Sequence, residues 1–303
     1  MTEKFYIEDK LEQDQTQMRS ASLWSDAWRR LRSNKFALAG LIILFSLAFI
    51  AVFAPLISPY DPDALDLRNA LQPVGSPGHI LGTDELGRDT LSRIIFGSRI
   101  SLSVGIIVVI IAGSIGVVLG AISGYFGGIV DQIVMRLVDV LLAFPFLILA
   151  IAVVSIVGGG LTNVMITLGF VSWISYARLV RGMVLSLREE EFVTAAKVMG
   201  VGNWRIIWRH ILPNALGVVI VQATYGAATA ILSASALSFL GMGAQPPTAE
   251  WGAMLSTAKQ HMRSLPILAV APGMAIMITV LAINFVGDAL RDALGDAFSF
   301  SNR

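Results

Sequence analysis

Long uncharged intervals alternate with short charged ones along the chain, and their lengths predict membrane-crossing helices. A helix needs about 20 apolar residues to cross ~30 Å of hydrocarbon. Residues 36–57 fit one span, and the uncharged interval 100–130 holds a second, centred on 102–122. The uncharged run 140–177 is too long for one helix and is interrupted by Gly158-Gly159-Gly160, so it reads as a hairpin of two spans with a tight outer turn. The interval 211–249 supplies a fifth span over 215–236, before Gly241, Gly243, Pro246 and Pro247 break the helix. Residues 264–287 supply the sixth. The expected fold is all-α and integral to the membrane, with six transmembrane helices. Its expected parts are an N-terminal segment (1–35), a first span (36–57), an outer loop (58–99), a five-helix core (100–287) and a tail (288–303).

Six spans put both termini on one side, and Lys/Arg bias says which. The termini, Arg136 and the 178–209 loop together hold 16 of these residues, and the alternate connections hold 6. Both termini and the fourth-to-fifth loop are therefore expected in the cytoplasm. Residues 1–35 are polar and too long for a signal-peptide n-region, so the first helix is expected to stay as an anchor. Within the second span Ala112, Gly116, Gly120 and Gly124 recur every four residues, which predicts a close helix approach inside the bundle. Pro145, Gly169 and Gly182 read as kinks or packing sites.

Composition agrees with the pattern. Charged residues make up 14%, where about 25% is usual in soluble domains, so the apolar excess is expected to face lipid. A net charge of +1 gives no case for nucleic acid. The absence of cysteine removes disulfides, thiolate metal sites and cysteine nucleophiles.

Transport chemistry is missing from the chain. A nucleotide phosphate cradle needs Lys after Gly, and none of Lys4, Lys10, Lys35, Lys197 and Lys259 follows one. The expected spans hold no carboxylate or histidine for a proton relay. Arg136 and Asp139, three apart, predict a structural ion pair. His79, His210 and His261 lie in separate loops without zinc spacing. Ser233, Ser235 and Ser238 have no base nearby in sequence, and they read as helix-bonding groups or part of a polar path. No catalytic residue, metal ligand or cofactor site is assigned, so any energy must come from another polypeptide.

The cytoplasmic loop 186–213 is charged yet periodic. Ser186-Leu187-Arg188-Glu189 fits a capping box, and Glu190 and Glu191 add charge at a helix's positive end. Phe192, Ala195, Ala196 and Met199 form one apolar stripe, which Gly200-Val201-Gly202-Asn203 breaks. Trp204, Ile207, Trp208 and Ile211 form a second, before Pro213 is expected to end the element. Two short helices are predicted to meet near Gly200, with Arg205 and Arg209 on the other face of the second. Taken alone, the pattern suits either a helix lying on the inner leaflet or a partner's docking site.

Ala195-Ala196, three residues, Gly200 and then Leu212-Pro213 resemble the cytoplasmic loop of binding-protein-dependent importers of the ATP-binding cassette class. Thr194 and His210 stand where that pattern has Glu and Ile. The outer loop reads Leu81-Gly82-Thr83-Asp84-Glu85-Leu86-Gly87-Arg88-Asp89, followed by Leu91-Ser92-Arg93. Further along come Ser238-Phe239-Leu240-Gly241, Gly243-Ala244-Gln245-Pro246-Pro247, Glu250-Trp251-Gly252, and Asn284, Gly287-Asp288 and Leu290-Arg291-Asp292. In this order, over residues 28–294, they resemble dipeptide/oligopeptide permease C subunits. The chain departs at Gly295, where such subunits commonly read Asp-Pro, and the tail after it looks unrelated.

The resemblance implies the permease fold of a type I importer in a prokaryotic inner membrane. It implies a non-enzymatic permease subunit of an ATP-driven importer of short peptides, with nickel chelates, glutathione or other peptide-like solutes as alternatives. The implied partners are a homologous (DppB/OppB-like) permease, two ATPase subunits that use ATP and Mg, an extracytoplasmic solute-binding protein, and lipid. ATPase coupling falls on Glu191, Phe192, Ala195, Ala196, Met199, Gly200, Trp204, Ile207, Trp208, Leu212 and Pro213. Polar residues of the fifth span, Gln222, Thr224, Tyr225, Thr229 and Ser233, are candidates for the solute path. Gly82, Thr83, Asp84, Gly87, Arg88 and Asp89 read as a mixed-charge turn capping the outer mouth or docking a receptor, a role the loop 246–266 could share. The rival classes are an ATP-independent channel or scaffold and an intramembrane enzyme.

Overall fold

A computed structural model describes Arg32 and residues 34–300, with side chains described as far as Ala293. The expectations for residues 1–31, 33 and 301–303 lie outside the described residues. Among the described residues, five helices are long and apolar enough to cross a membrane, and a pair bent by 94° makes a sixth if counted as one broken span.

Helix α1 (Lys35–Val52) opens at Asn34, whose Oδ1 accepts from the Phe36 and Ala37 amides. A one-turn α2 (Ala54–Ile57) follows. α1 lies against the last long helix, α11 (Ile267–Phe300), where a Cβ at Gly40 would stand 2.7 Å from the Ala282 carbonyl oxygen. Its other side exposes Phe45, Phe49 and Val52, as a lipid-facing helix would. α11 runs well past Gly287, so the expected tail begins as helix.

The centre is the pair α3 (Thr90–Phe126) and α6 (Leu161–Leu187). In lipid, close packing and hydrogen bonds, not expulsion of water, hold helices together. The small-residue stripe of α3 provides that packing: Cβ atoms at Gly120 and Gly124 would stand 2.5 Å from the Ala177 carbonyl oxygen and 2.9 Å from that of Arg181. At Gly116 a Cβ would strike Tyr176. The four-residue repeat therefore serves contact within the chain. Val104, Val108, Val154, Leu168 and Leu237 fill the core nearer the start of α3.

The third span departs from expectation. Instead of a helix from Val140, α4 (Gly128–Leu142) ends in a 94° bend, and α5 (Phe146–Val157) follows. Pro145 explains the break, because it lacks an amide hydrogen and disfavours helical backbone at Phe144. Twelve residues span only about 18 Å, so α5 alone is too short to cross. The turn itself is where the glycines predict it, with Gly158 and Gly160 at φ +102° and +119°. Asp139 pairs with Arg178 of α6 at 2.8 Å, not with Arg136, because it lies on the side of α4 facing α6.

Two boundaries of the loop expected over 186–213 also differ. Ser186 does not open a helix, because α6 continues to Leu187 while Val180 and Val184 pack against Ala121 of α3. Nor does Pro213 end one. α7 (Glu191–Val198) and α8 (Asn203–Ile206) lead into a π turn (Ile207–Ile211) and then α9 (Leu212–Phe239), continuous from Asn203 to Phe239. Leu212 donates to the Ile207 carbonyl across the wider turn, and Pro213 sits in the first turn of α9, where a missing amide is tolerated. The loop expected over 246–266 holds a helix, α10 (Trp251–Ala258), capped by Glu250.

Candidate functional site

Three neighbourhoods carry the candidate residues: an elbow made by α7 and α8, a cavity above it, and the outer motif. α7 begins after Glu190, which makes no side-chain cap, and ends in a Schellman motif. Gly200, at φ +79°, donates to the Lys197 carbonyl, and Val201 donates to that of Ala196. The left-handed residue turns the chain sharply into α8. Tyr125 Oη donates to Asn203 Oδ1 at 3.0 Å, and Phe126 packs edge-on to Trp204, which seats the elbow on the end of α3.

The elbow has two faces. Val193, Ala196, Ile206, Ile207, Ile211 and Leu212 are buried against Ala121, Val180 and Val184. Phe192, Ala195, Met199, Trp204 and Trp208 point outward, and Met199 is 75% exposed. Glu191, Gly200 and Pro213 are exposed as well. Ala196, Ile207 and Leu212 thus belong to the inner face, and each of the two expected stripes is split between faces. Val193 and Ile206 complete the inner face. Their burial between α3 and α6 could not be read from the local repeat.

Above the elbow lies a cavity of about 300 Å³ walled by α6, α9 and the α4–α5 bend. Gln222, Tyr225 and Thr229 line it together with Ser172, Ser175, Tyr176, Phe144 and Phe146, and among the described residues no charged side chain does. Gly226 lets Tyr176 cross toward α9, since a Cβ there would meet the phenol oxygen at 2.5 Å. Tyr225 Oη donates to Asp288 Oδ1 at 2.5 Å, joining the cavity wall to α11. Thr224 and Ser233 are not among the lining residues. Thr224 faces Gly287, and Ser233 is buried. The polar pattern of α9 pointed to its own residues but carried no signal for Tyr176 or Phe144 on other helices.

The outer motif is wired inward. Asp84 Oδ1 accepts from the Leu86 and Arg88 amides, and its Oδ2 accepts from Arg88 Nε at 2.7 Å. Asp89 Oδ2 caps α3 through the Ser92 amide and hydroxyl, and its Oδ1 is 2.9 Å from His79 Nδ1. Thr83 Oγ1 donates to the Asn69 carbonyl and accepts from the Gln72 amide. Gly82 and Gly87 adopt left-handed conformations against the backbone of Gln72 and Asp66. Arg93 reaches the Pro62 carbonyl, and Trp251 Nε1 donates to that of Ile94, tying α10 to the same cap. Glu250 is buried, and burial pushes its carboxyl above the usual carboxylate range while the Gly252 and Ala253 amides oppose that shift. Among the described residues, no group of His, Asp and Glu is placed to hold a metal ion.

Comparison with known proteins is consistent over nearly the whole chain. Residues 116–299 match the family model of binding-protein-dependent transport system inner membrane components, and residues 22–73 match the N-terminal transmembrane domain of oligopeptide transport permease C. The dipeptide transport system permease protein DppC of Alkalihalophilus pseudofirmus is 48% identical over 278 residues, which cover 92% of this chain and 91% of that protein. The glutathione transport system permease protein GsiD of Pectobacterium atrosepticum is 45% identical over 272 residues, covering 89% and 90%. Among solved structures, a chain of the MetNI methionine ABC transporter in inward-facing conformations superposes with a TM-score of 0.53 at 20% identity. That match covers 66% of this chain and 96% of the other, and it bears on the fold alone.

Proposed function

This chain belongs to the binding-protein-dependent transport system inner membrane components, and we propose that it is one of two permease subunits in an ATP-driven importer of short peptides. A homologous permease completes the pathway, two cytoplasmic ATPase subunits supply ATP and Mg chemistry, and an extracytoplasmic binding protein delivers the solute. One observation carries the reading: the elbow buries an inner face within this chain and leaves Phe192, Met199, Trp204 and Trp208 uncovered on the outer.

The elbow joins α6 directly to α9, and both wall the cavity. An ATPase pair that closes around the exposed face would move those two helices together and change the side on which the cavity opens. A shift from 1:99 to 99:1 between two states needs about 5.5 kcal/mol of differential binding. The Lys/Arg bias supports a cytoplasmic elbow and cytoplasmic termini. Hydroxyl, amide and aromatic groups without a net charge suit a permissive path for peptide-like solutes, with selection left to the binding protein. Relatives named for dipeptide and for glutathione transport both fit that chemistry.

Met199→Glu and Trp208→Glu test the reading, because both sites are exposed and should leave folding unchanged. Co-purification of the ATPase subunits is expected to fall at least about tenfold, the equivalent of 1.4 kcal/mol, and uptake by the reconstituted transporter to fall with it. Intact assembly and intact uptake in both variants would point instead to a channel or scaffold that needs no ATP.

A further inference from the structure

The cavity has a wall outside the elbow's direct reach. α6 and α9 run straight into the elbow, whereas Leu141, Phe144 and Phe146 belong to the α4–α5 bend. α4 is nevertheless fastened to α6 at three points. Near its start, Asp131 accepts two parallel hydrogen bonds from Arg181, Nε to Oδ1 at 2.5 Å and Nη2 to Oδ2 at 2.6 Å, and a third from Ser123 Oγ of α3. Further along, fully buried Val138 sits among Trp173, Ile174 and Ala177. The Asp139–Arg178 pair follows. A guanidinium fork on a carboxylate fixes orientation as well as distance, so this pair resists rotation of one helix on the other. Arg181 stands within three turns of the elbow on the same unbroken α6.

We infer that Asp131 and Arg181 are positioning residues for transport, clasping α4 to α6 so that elbow displacement carries the far wall of the cavity through the bend at Pro145. The inference rests on the proposed function above. Without the clasp, α6 and α9 would move while Phe144 and Phe146 lagged, and ATP turnover would proceed without a matching change of access.

The complete transporter in proteoliposomes gives the test, with uptake of a dipeptide mixture and glutathione measured by mass spectrometry against ATP hydrolysed. Asp131→Asn is expected to lower solute moved per ATP by about tenfold while the ATPases still co-purify, and Asp131→Arg with Arg181→Asp to recover most of the loss. The chain lacks cysteine, so with the partner subunits' own cysteines replaced, a cross-link between Asp139→Cys and Arg178→Cys reports on this contact alone. Uptake is expected to survive the cross-link, because the two helices travel as one. An unchanged solute-to-ATP ratio in Asp131→Asn, or a cross-link that blocks uptake, would overturn the clasp. Should Asp131→Asn fail to assemble, the cross-link decides. Failure of the parent reading is seen separately, in the response to Met199→Glu.

Discussion

The outer motif and the elbow both combine glycines with charged and apolar residues, yet they satisfy those groups in opposite ways. In the outer motif Thr83, Arg88 and Asp89 are buried, and Asp84 accepts two amides and a guanidinium within the same turn. In the elbow the largest apolar side chains, Trp204, Trp208 and Met199, lie on the surface. The first set is complete within one chain. The second leaves apolar area that no described residue of this chain covers, and exposed patches of this kind mark interaction sites. On the proposed function the first motif serves stability and the second assembly, and burial separates them.

Substitutions can break or sharpen that contrast. The largest effect is expected from Gly87→Val, which combines a left-handed backbone at φ +75° with a collision against the Asp66 backbone. It should cost more than about 4 kcal/mol, and the yield of monodisperse protein in detergent should collapse. Asp89→Ala comes next. It removes the cap of α3 and strands His79 and Ser92, at a cost of about 2–4 kcal/mol read as a lower unfolding midpoint. ATPase binding per folded molecule should not change, and a variant that lost binding without lowering the midpoint would erase the distinction. Gly200→Ala is the smallest. No atom crowds the site, so the strain is that of a left-handed backbone alone, about 1 kcal/mol. In the free subunit the exposed elbow relaxes out of that conformation and must regain it on docking, so unfolding should barely move while ATPase co-purification drops by about fivefold.

Legibility followed the range of the forces involved. The repeat of Ala112, Gly116, Gly120 and Gly124 was readable because close helix contact needs small residues at a fixed spacing. The turn at Gly200 was readable because a left-handed residue sits where a glycine must. The third span differs from its expected course because an absence of charge marks apolar surroundings, not helix continuity, although Pro145 carries the signal of the break. α10 was hidden by the glycines and prolines before it, while Glu250-Trp251 holds its cap. Asp139 with Arg178, Asp131 with Arg181 and Tyr225 with Asp288 join residues far apart in sequence, and no local periodicity encodes such pairs. The cavity combines side chains of several helices for the same reason.

The continuous helical stretch from Asn203 to Phe239 sets a lever ratio. Its 37 residues extend about 55 Å. Each degree of tilt about the elbow end therefore sweeps the opposite tip sideways by about 1 Å, by the same helical rise. A modest rocking at the elbow, carried along the continuous helix, is enough to part side chains at its opposite end by the width of a small molecule.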